Sequence, residues 1–282
     1  MKKAFRFGVV TGGYASRSAW ITLAQRVEEL GYASLLLPDV LGTPLATMTA
    51  LAVAASATTK LRVGGYVFVN DYRHPALLAR EIATLDQLSD GRVELGLGAG
   101  NWAHEYQQLG IPFEQAGTRV SRFAEGLSII KQFFSAETVN FSGNYYTIAE
   151  LRPLPRPVQQ PHPPILIGSG GRRMLTLAAR EADIILPVPP VEEKIDWIRE
   201  AAGERFEHLE LGRGDFGIEL IDGPVAAAPA FPGMPVEAHL MTTEQAVEYL
   251  LEQRERLDIS YYQVQERQLE NFAPVVARLN GK

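Results

Sequence analysis

Short apolar runs alternate along the chain with stretches where apolar residues recur every three or four positions. Residues 5–10 form the first run. Trp20, Leu23, Ala24, Val27 and Leu30 then follow at helical spacing until Gly31 stops them. Further runs lie at 34–37, 61–69, 93–97, 165–167, 183–186, 216–225 and 259–264. Between them, 46–58 is an Ala-rich helix. Leu78, Ile82, Leu85 and Leu88 form a stripe behind Pro75, which sits at a favoured first helical position. Residues 102–109 read as a short helix, and Val120, Phe123, Leu127, Ile130 and Phe134 as a long one. Helices follow at Met174, Leu177 and Ala178, at Val191, Ile195 and Ile198, at Ala246, Val247 and Leu250, and at Leu269, Phe272 and Val276.

This pattern predicts eight strands, each followed by a helix, and such alternation implies a parallel sheet. Eight units in 282 residues suit a closed (β/α)8 TIM barrel of the α/β class, about 250 residues plus insertions. A doubly wound open sheet is the alternative. Insertions are expected after strands 4 and 7. The first holds a β-hairpin around Ser142-Gly143-Asn144 and a proline-rich connector at 153–164; the second is a Pro-, Gly- and Ala-rich loop at 226–241. The strand–helix rhythm resumes directly after the connector, so 1–282 reads as a single domain.

Composition narrows the chemistry. There is no cysteine, which excludes disulfides, thiolate metal sites and Cys nucleophiles. The net charge of −6 argues against a general nucleic-acid role. The N-terminal residues lead straight into a strand, and no apolar run long enough for a signal or membrane helix follows, so a cytoplasmic protein is expected. The five histidines include no two at ligand spacing, and no metal site is expected.

A barrel carries its active site at the C-terminal ends of its strands. Two glycine-rich loops fall there. Gly98, Ala99, Gly100 and Asn101 follow the fourth strand; Gly168, Ser169, Gly170, Gly171, Arg172 and Arg173 follow the fifth. Small residues let backbone N–H groups approach a phosphate, and a following helix start adds partial positive charge. Tight strand-to-helix turns would also explain the glycines. Neither loop is a Walker loop or a Rossmann fingerprint. Gly64 and Gly65 sit inside the buried third strand, where glycine costs stability. A bulge, a backbone pressed on a flat ligand, or close packing against a neighbour would each account for them. Asp39 ends the second strand and could accept a ligand hydroxyl or cap a helix. Glu105 reads as helical surface or a cap. Tyr66 and Trp102 could border a flat ring or be ordinary packing at strand ends, and Tyr14 is expected with them on the pocket wall.

Several stretches resemble the bacterial luciferase-like monooxygenase superfamily of flavin and deazaflavin barrels. They are RHPALLARE at 73–81, ATLDQLSDGR at 83–92, ELGLGAG at 94–100, FSGNYY at 141–146 and PILIGSGG at 164–171. NDYRHP at 70–75 and WIREAAG at 197–203 resemble a subgroup that uses the deazaflavin coenzyme F-420. The resemblance implies a cofactor phosphate between the loops at 98–101 and 168–172. It implies a bulge with a non-prolyl cis peptide at Tyr66-Val67, behind Gly65, pressing on the ring, and a cofactor contact at Asp39. It also implies a homodimer acting on a small molecule. One sugar-phosphate dehydrogenase branch has a histidine where this chain has Val40 and a glutamate where it has Asn101. Its proton-transfer pair is therefore missing, which leaves Asn101 and His104 as catalytic candidates. Three readings follow: an F-420-dependent oxidoreductase transferring hydride, an FMN-dependent monooxygenase using oxygen, or a non-catalytic flavin-binding barrel.

Overall fold

The computed structural model describes residues 2–214, 218–223 and 239–282. In chain order the elements are β1 (Arg6–Val10), α1 (Arg17–Glu29), β2 (Ser34–Leu37), α2 (Thr47–Ala57), β3 (Arg62–Gly65), β4 (Phe68–Val69), α3 (Pro75–Leu88) and β5 (Val93–Gly98). Next come α4 (Ala103–Leu109), α5 (Ala116–Ser135), the antiparallel pair β6 (Val139–Ser142) and β7 (Thr147–Leu151), β8 (Ile165–Ser169), α6 (Arg172–Glu181), β9 (Ile184–Pro187) and α7 (Glu192–Ala202). The remainder is β10 (Glu210–Arg213), β11 (Ile218–Leu220), β12 (His239–Met241), α8 (Thr243–Leu257), β13 (Ile259–Gln265) and α9 (Leu269–Leu279).

The parallel strands run in the order β3-β2-β1-β13-β10-β9-β8-β5, and β3 pairs with β5 through Val63↔Val93 and Gly64↔Glu94 to close the ring. The result is a (β/α)8 TIM barrel. Alternation sorts the side chains. Val10, Leu36, Leu166, Ile184, Leu186 and Tyr261 fill the lumen. Phe7, Leu35, Leu37, Val63, Leu95 and Ile167 pack outward against the helices. Leu35, Leu36 and Leu37 of β2 are all fully buried, each contributing about 1.5–3 kcal/mol of hydrophobic stabilisation. The lower end of the barrel is closed by charge: buried Glu94 accepts from Arg6 at 2.6 Å, Arg62 at 2.9 Å and the Tyr261 hydroxyl at 3.0 Å.

Two expectations change. The run at 61–69 is not one strand. It breaks at Tyr66-Val67, which is cis, into β3 and β4. The seventh barrel strand is β10, not 216–225. Ile218–Leu220 instead pairs with His239–Met241 in a separate two-stranded sheet. Residues 216–217 and 224–225 of the expected strand, and 226–238 of the expected loop, lie outside the described residues. No helix among the described residues is long and apolar enough to cross a membrane.

Candidate active site

The C-terminal ends of the strands open on a cavity of about 660 Å³. Its shape follows from local packing. The side chain of Val67 lies 2.6 Å from where a Cβ would stand on Gly98, so β5 can carry only glycine there. Gly96 and Gly64 are equally constrained, by the Gly65 carbonyl and the Glu94 carbonyl. Gly100 has φ of +80°, and the Tyr106 hydroxyl fills the space a Cβ would need. That hydroxyl donates to Asp71 at 3.0 Å, and Arg122 holds Asp71 from α5. The loop after β5 is thus wrapped around a fixed aromatic ring.

The second glycine loop opens onto α6. Gly171 is its N-cap and supplies no side-chain cap, so the first N–H groups of the helix are unclaimed by a capping side chain. The start of α5 is likewise uncapped, and Ala116 and Gly117 line the same cavity. Cations surround these helix starts. Lys194 donates to the Val188 and Pro189 carbonyls, and its Nζ lies 3.3 Å from where a Cβ would stand on Gly170. Arg119 lines the cavity with only 8% of its surface exposed, and its Nε is buried without a hydrogen-bond partner among the described residues. Arg172 is exposed, lies over the Trp197 ring and pairs with Glu200 at 3.3 Å.

The opposite wall carries the carboxylates. Asp39 accepts from Arg73 twice and from the Val69 N–H, so it caps no helix. Glu105, read from the sequence as surface or cap, is 3% exposed. It accepts from the Leu41 N–H and the Tyr72 hydroxyl, both at 2.8 Å. Burial first, and then Glu105, push the Tyr72 phenol well above its ordinary range.

Asp39, Tyr66, Val67, Gly98, Ala99, Gly100, Asn101, Gly168, Ser169, Gly170, Gly171 and Arg172 all come together on the cavity wall. Gly65 and His104 do not line it. Gly65 is buried against the Phe68 ring, so close packing accounts for that glycine. His104 is exposed, and its ring lies tilted against that of Trp102, with centroids 5.4 Å apart; Trp102 does line the cavity. Tyr14 is also elsewhere, donating to Glu266. Sequence reasoning placed Tyr72 and Arg73 among the residues just past the third strand but gave them no role, read Glu105 as surface or cap, and passed over Arg119 and Lys194. For Arg119 a signal existed: it falls on the buried face of α5, with Phe123, Gly126 and Ile130.

Comparison with known proteins fits this geometry. The chain belongs to the luciferase-like monooxygenase family, which it matches over residues 4–229. It is 28% identical over 167 residues to the FMNH(2)-dependent dimethylsulfone monooxygenase of Pseudomonas putida, covering 58% of this chain and 46% of that one. It is 32% identical over 130 residues to the F420-dependent glucose-6-phosphate dehydrogenase of Amycolatopsis mediterranei, covering 46% of this chain and 38% of that one. Both matches therefore span less than half of the relative's length. The coenzyme F420 dependent tetrahydromethanopterin reductase from Methanopyrus kandleri has the same fold, with a TM-score of 0.83 at 18% identity over 99% of this chain and 100% of that one.

Proposed function

We propose that the protein transfers hydride between coenzyme F-420, a deazaflavin, and a small organic substrate. The observation that carries this reading is the break in the third barrel strand. It sets Tyr66 and Val67 on the cavity wall, against the β5 glycine loop, where a flat ring can lie on backbone. The residues present fit such a cofactor. A cavity of about 660 Å³ falls within the usual range for cofactor pockets. The Arg119 Nε, unpartnered among the described residues, and the uncapped starts of α5 and α6 suit an anionic end.

When bound, a deazaflavin supplies a ring carbon that gives or takes hydride. The chain's own residues hold and orient. Gly98, Ala99, Gly100 and Asn101 take one side of the phosphate, and Gly168, Ser169, Gly170, Gly171 and Arg172 the other. Tyr66 and Val67 back the ring, with Asp39 beside them. Orientation supplies most of the catalysis. Asn101 lines the cavity and His104 does not, so Asn101 is the catalytic candidate that contacts ligand in this reading. On the same reading the protein is a cytoplasmic homodimer, a mass that light scattering measures.

A second reading, an FMN-dependent monooxygenase using reduced flavin and oxygen, is favoured by the likeness to the dimethylsulfone monooxygenase. Fluorescence titration of the purified protein with the deazaflavin and with FMN separates the two. Tight deazaflavin binding is expected. Binding of FMN alone would replace the first reading with the second.

A further inference from the structure

Two carboxylates line the cavity, and they differ in one respect. Asp39 is neutralised by Arg73. Glu105 has no cationic partner among the described residues: its oxygens are held by the Leu41 N–H and the Tyr72 hydroxyl, both neutral donors. Glu105 is 3% exposed, and an ionised carboxylate buried so deeply without a cation is costly to stability. A carboxyl oxygen accepting a phenolic O–H leaves the phenol oxygen with free lone pairs. Tyr72 lines the cavity, so those lone pairs are within reach of a bound molecule.

We propose that Tyr72 and Glu105 form the proton-exchanging pair of this cavity, and that they fit it to a neutral carbinol or carbonyl compound rather than a phosphorylated one. The inference rests on the hydride-transfer reading, in which a carbinol must lose its O–H proton as its carbon gives up hydride. The carbinol proton passes to the Tyr72 oxygen while the phenolic proton passes to Glu105 Oε2. The substrate oxygen is left one proton poorer and Glu105 neutral; carbonyl reduction runs the same transfer backwards. Tyr72 is the group that touches substrate, and Glu105 acts through it. The histidine–glutamate pair of the sugar-phosphate branch is missing at Val40 and Asn101, which line the same cavity as Tyr72 and Glu105. An uncompensated carboxylate at this end repels a second anion, whereas the cations collect around the glycine loops.

Two measurements test this. In the first, the deazaflavin-loaded full chain is assayed with a panel of small secondary alcohols, the matching ketones and glucose 6-phosphate. The wild type is expected to turn over at least one neutral pair and not the phosphorylated sugar. Glu105→Gln keeps a carbonyl for the Leu41 N–H, so it should lower kcat about a hundredfold while KM and deazaflavin affinity stay within about threefold. A kcat loss under about tenfold, preference for the phosphorylated sugar, or no turnover of any neutral pair by protein that binds the deazaflavin would each overturn the proposal. The second measurement needs no cofactor. The carbinol carbon resonance of carbon-13 2-propanol, whose hydroxyl can donate to the Tyr72 oxygen, should shift and saturate on titration into unloaded wild-type protein but not into Tyr72→Phe. A wild type without a saturable shift overturns the pair. A normal shift without deazaflavin binding supports the pair and overturns the cofactor reading instead.

Discussion

Arg73 grips both carboxylate oxygens of Asp39, at 2.8 and 3.1 Å. Asp39 follows β2 and Arg73 precedes α3, so the bond ties two loops of the barrel mouth. The Val69 N–H completes the site at 3.2 Å from Oδ2. Arg73→Ala should leave a buried carboxylate unpaired and cost about 2–3 kcal/mol, since hydrogen bonds to charged groups fall in that range. Adding Asp39→Asn should recover part of the loss. Urea denaturation measures both; a stable single variant would mean that solvent already screens the pair.

Gly170→Asp should weaken deazaflavin binding by about a hundredfold or more, because it sets a carboxylate beside Lys194, where the proposed function puts the phosphate. Gly170→Ala adds no charge and meets the Lys194 amine at 3.3 Å and Val188 at an ordinary contact of 3.5 Å, so it should bind nearly as the wild type does. Fluorescence titration reads both. Undiminished affinity in the aspartate variant would remove the phosphate from this loop.

Glu94 belongs to stability. Burial alone would raise its pKa, but Arg6 and Arg62 together outweigh burial and hold it below the ordinary carboxylate value. A depressed carboxylate contributes stability above its unfolded pKa and loses it as pH falls through the folded one. Glu94→Gln should cost about 3–5 kcal/mol at neutral pH, leaving two arginines short of their partner. It should also flatten the fall in stability below about pH 4.3, the ordinary glutamate value. Denaturation curves across acid pH check both effects. Cofactor affinity should not move, since the network lies at the other end of the barrel.

Tyr14 titrates late. Its hydrogen bond to Glu266, with burial second, holds its pKa up to about 12. The folded value lies above the unfolded one, so this bond's stabilisation is complete below about pH 10 and is lost as pH rises through the folded value. Glu266→Gln should return the tyrosine towards its ordinary value in an ultraviolet pH titration. A titration unchanged by that substitution would show the hydrogen bond absent in solution.

The sequence by itself determined the barrel and most of its cradle. Period-two and helical stripes are local properties, because they come from which face of each element must leave water. The glycine loops were legible for the same reason, as runs of small residues at strand ends. The seventh strand was not. Glu210–Arg213 carries a single strongly apolar residue, Leu211, while Phe216, Ile218 and Leu220 alternate persuasively; β10 is a strand because β9 and β13 flank it. Nor could the sequence say which charged residues face inward. Arg73, Glu105 and Arg119 look like ordinary solvated charges until loops distant in the chain fold over them. The partners of the first two, Asp39 and Tyr72, lie 34 and 33 residues away, whereas Arg119 donates to the nearby Glu114 carbonyl. Gly65 shows the reverse case: the sequence offered a ligand or a packing reason, and only the packed structure, with Phe68 filling the space, chose packing. Burial pattern is written along the chain, but pairing of charges depends on closure of the barrel, which only the tertiary structure decides.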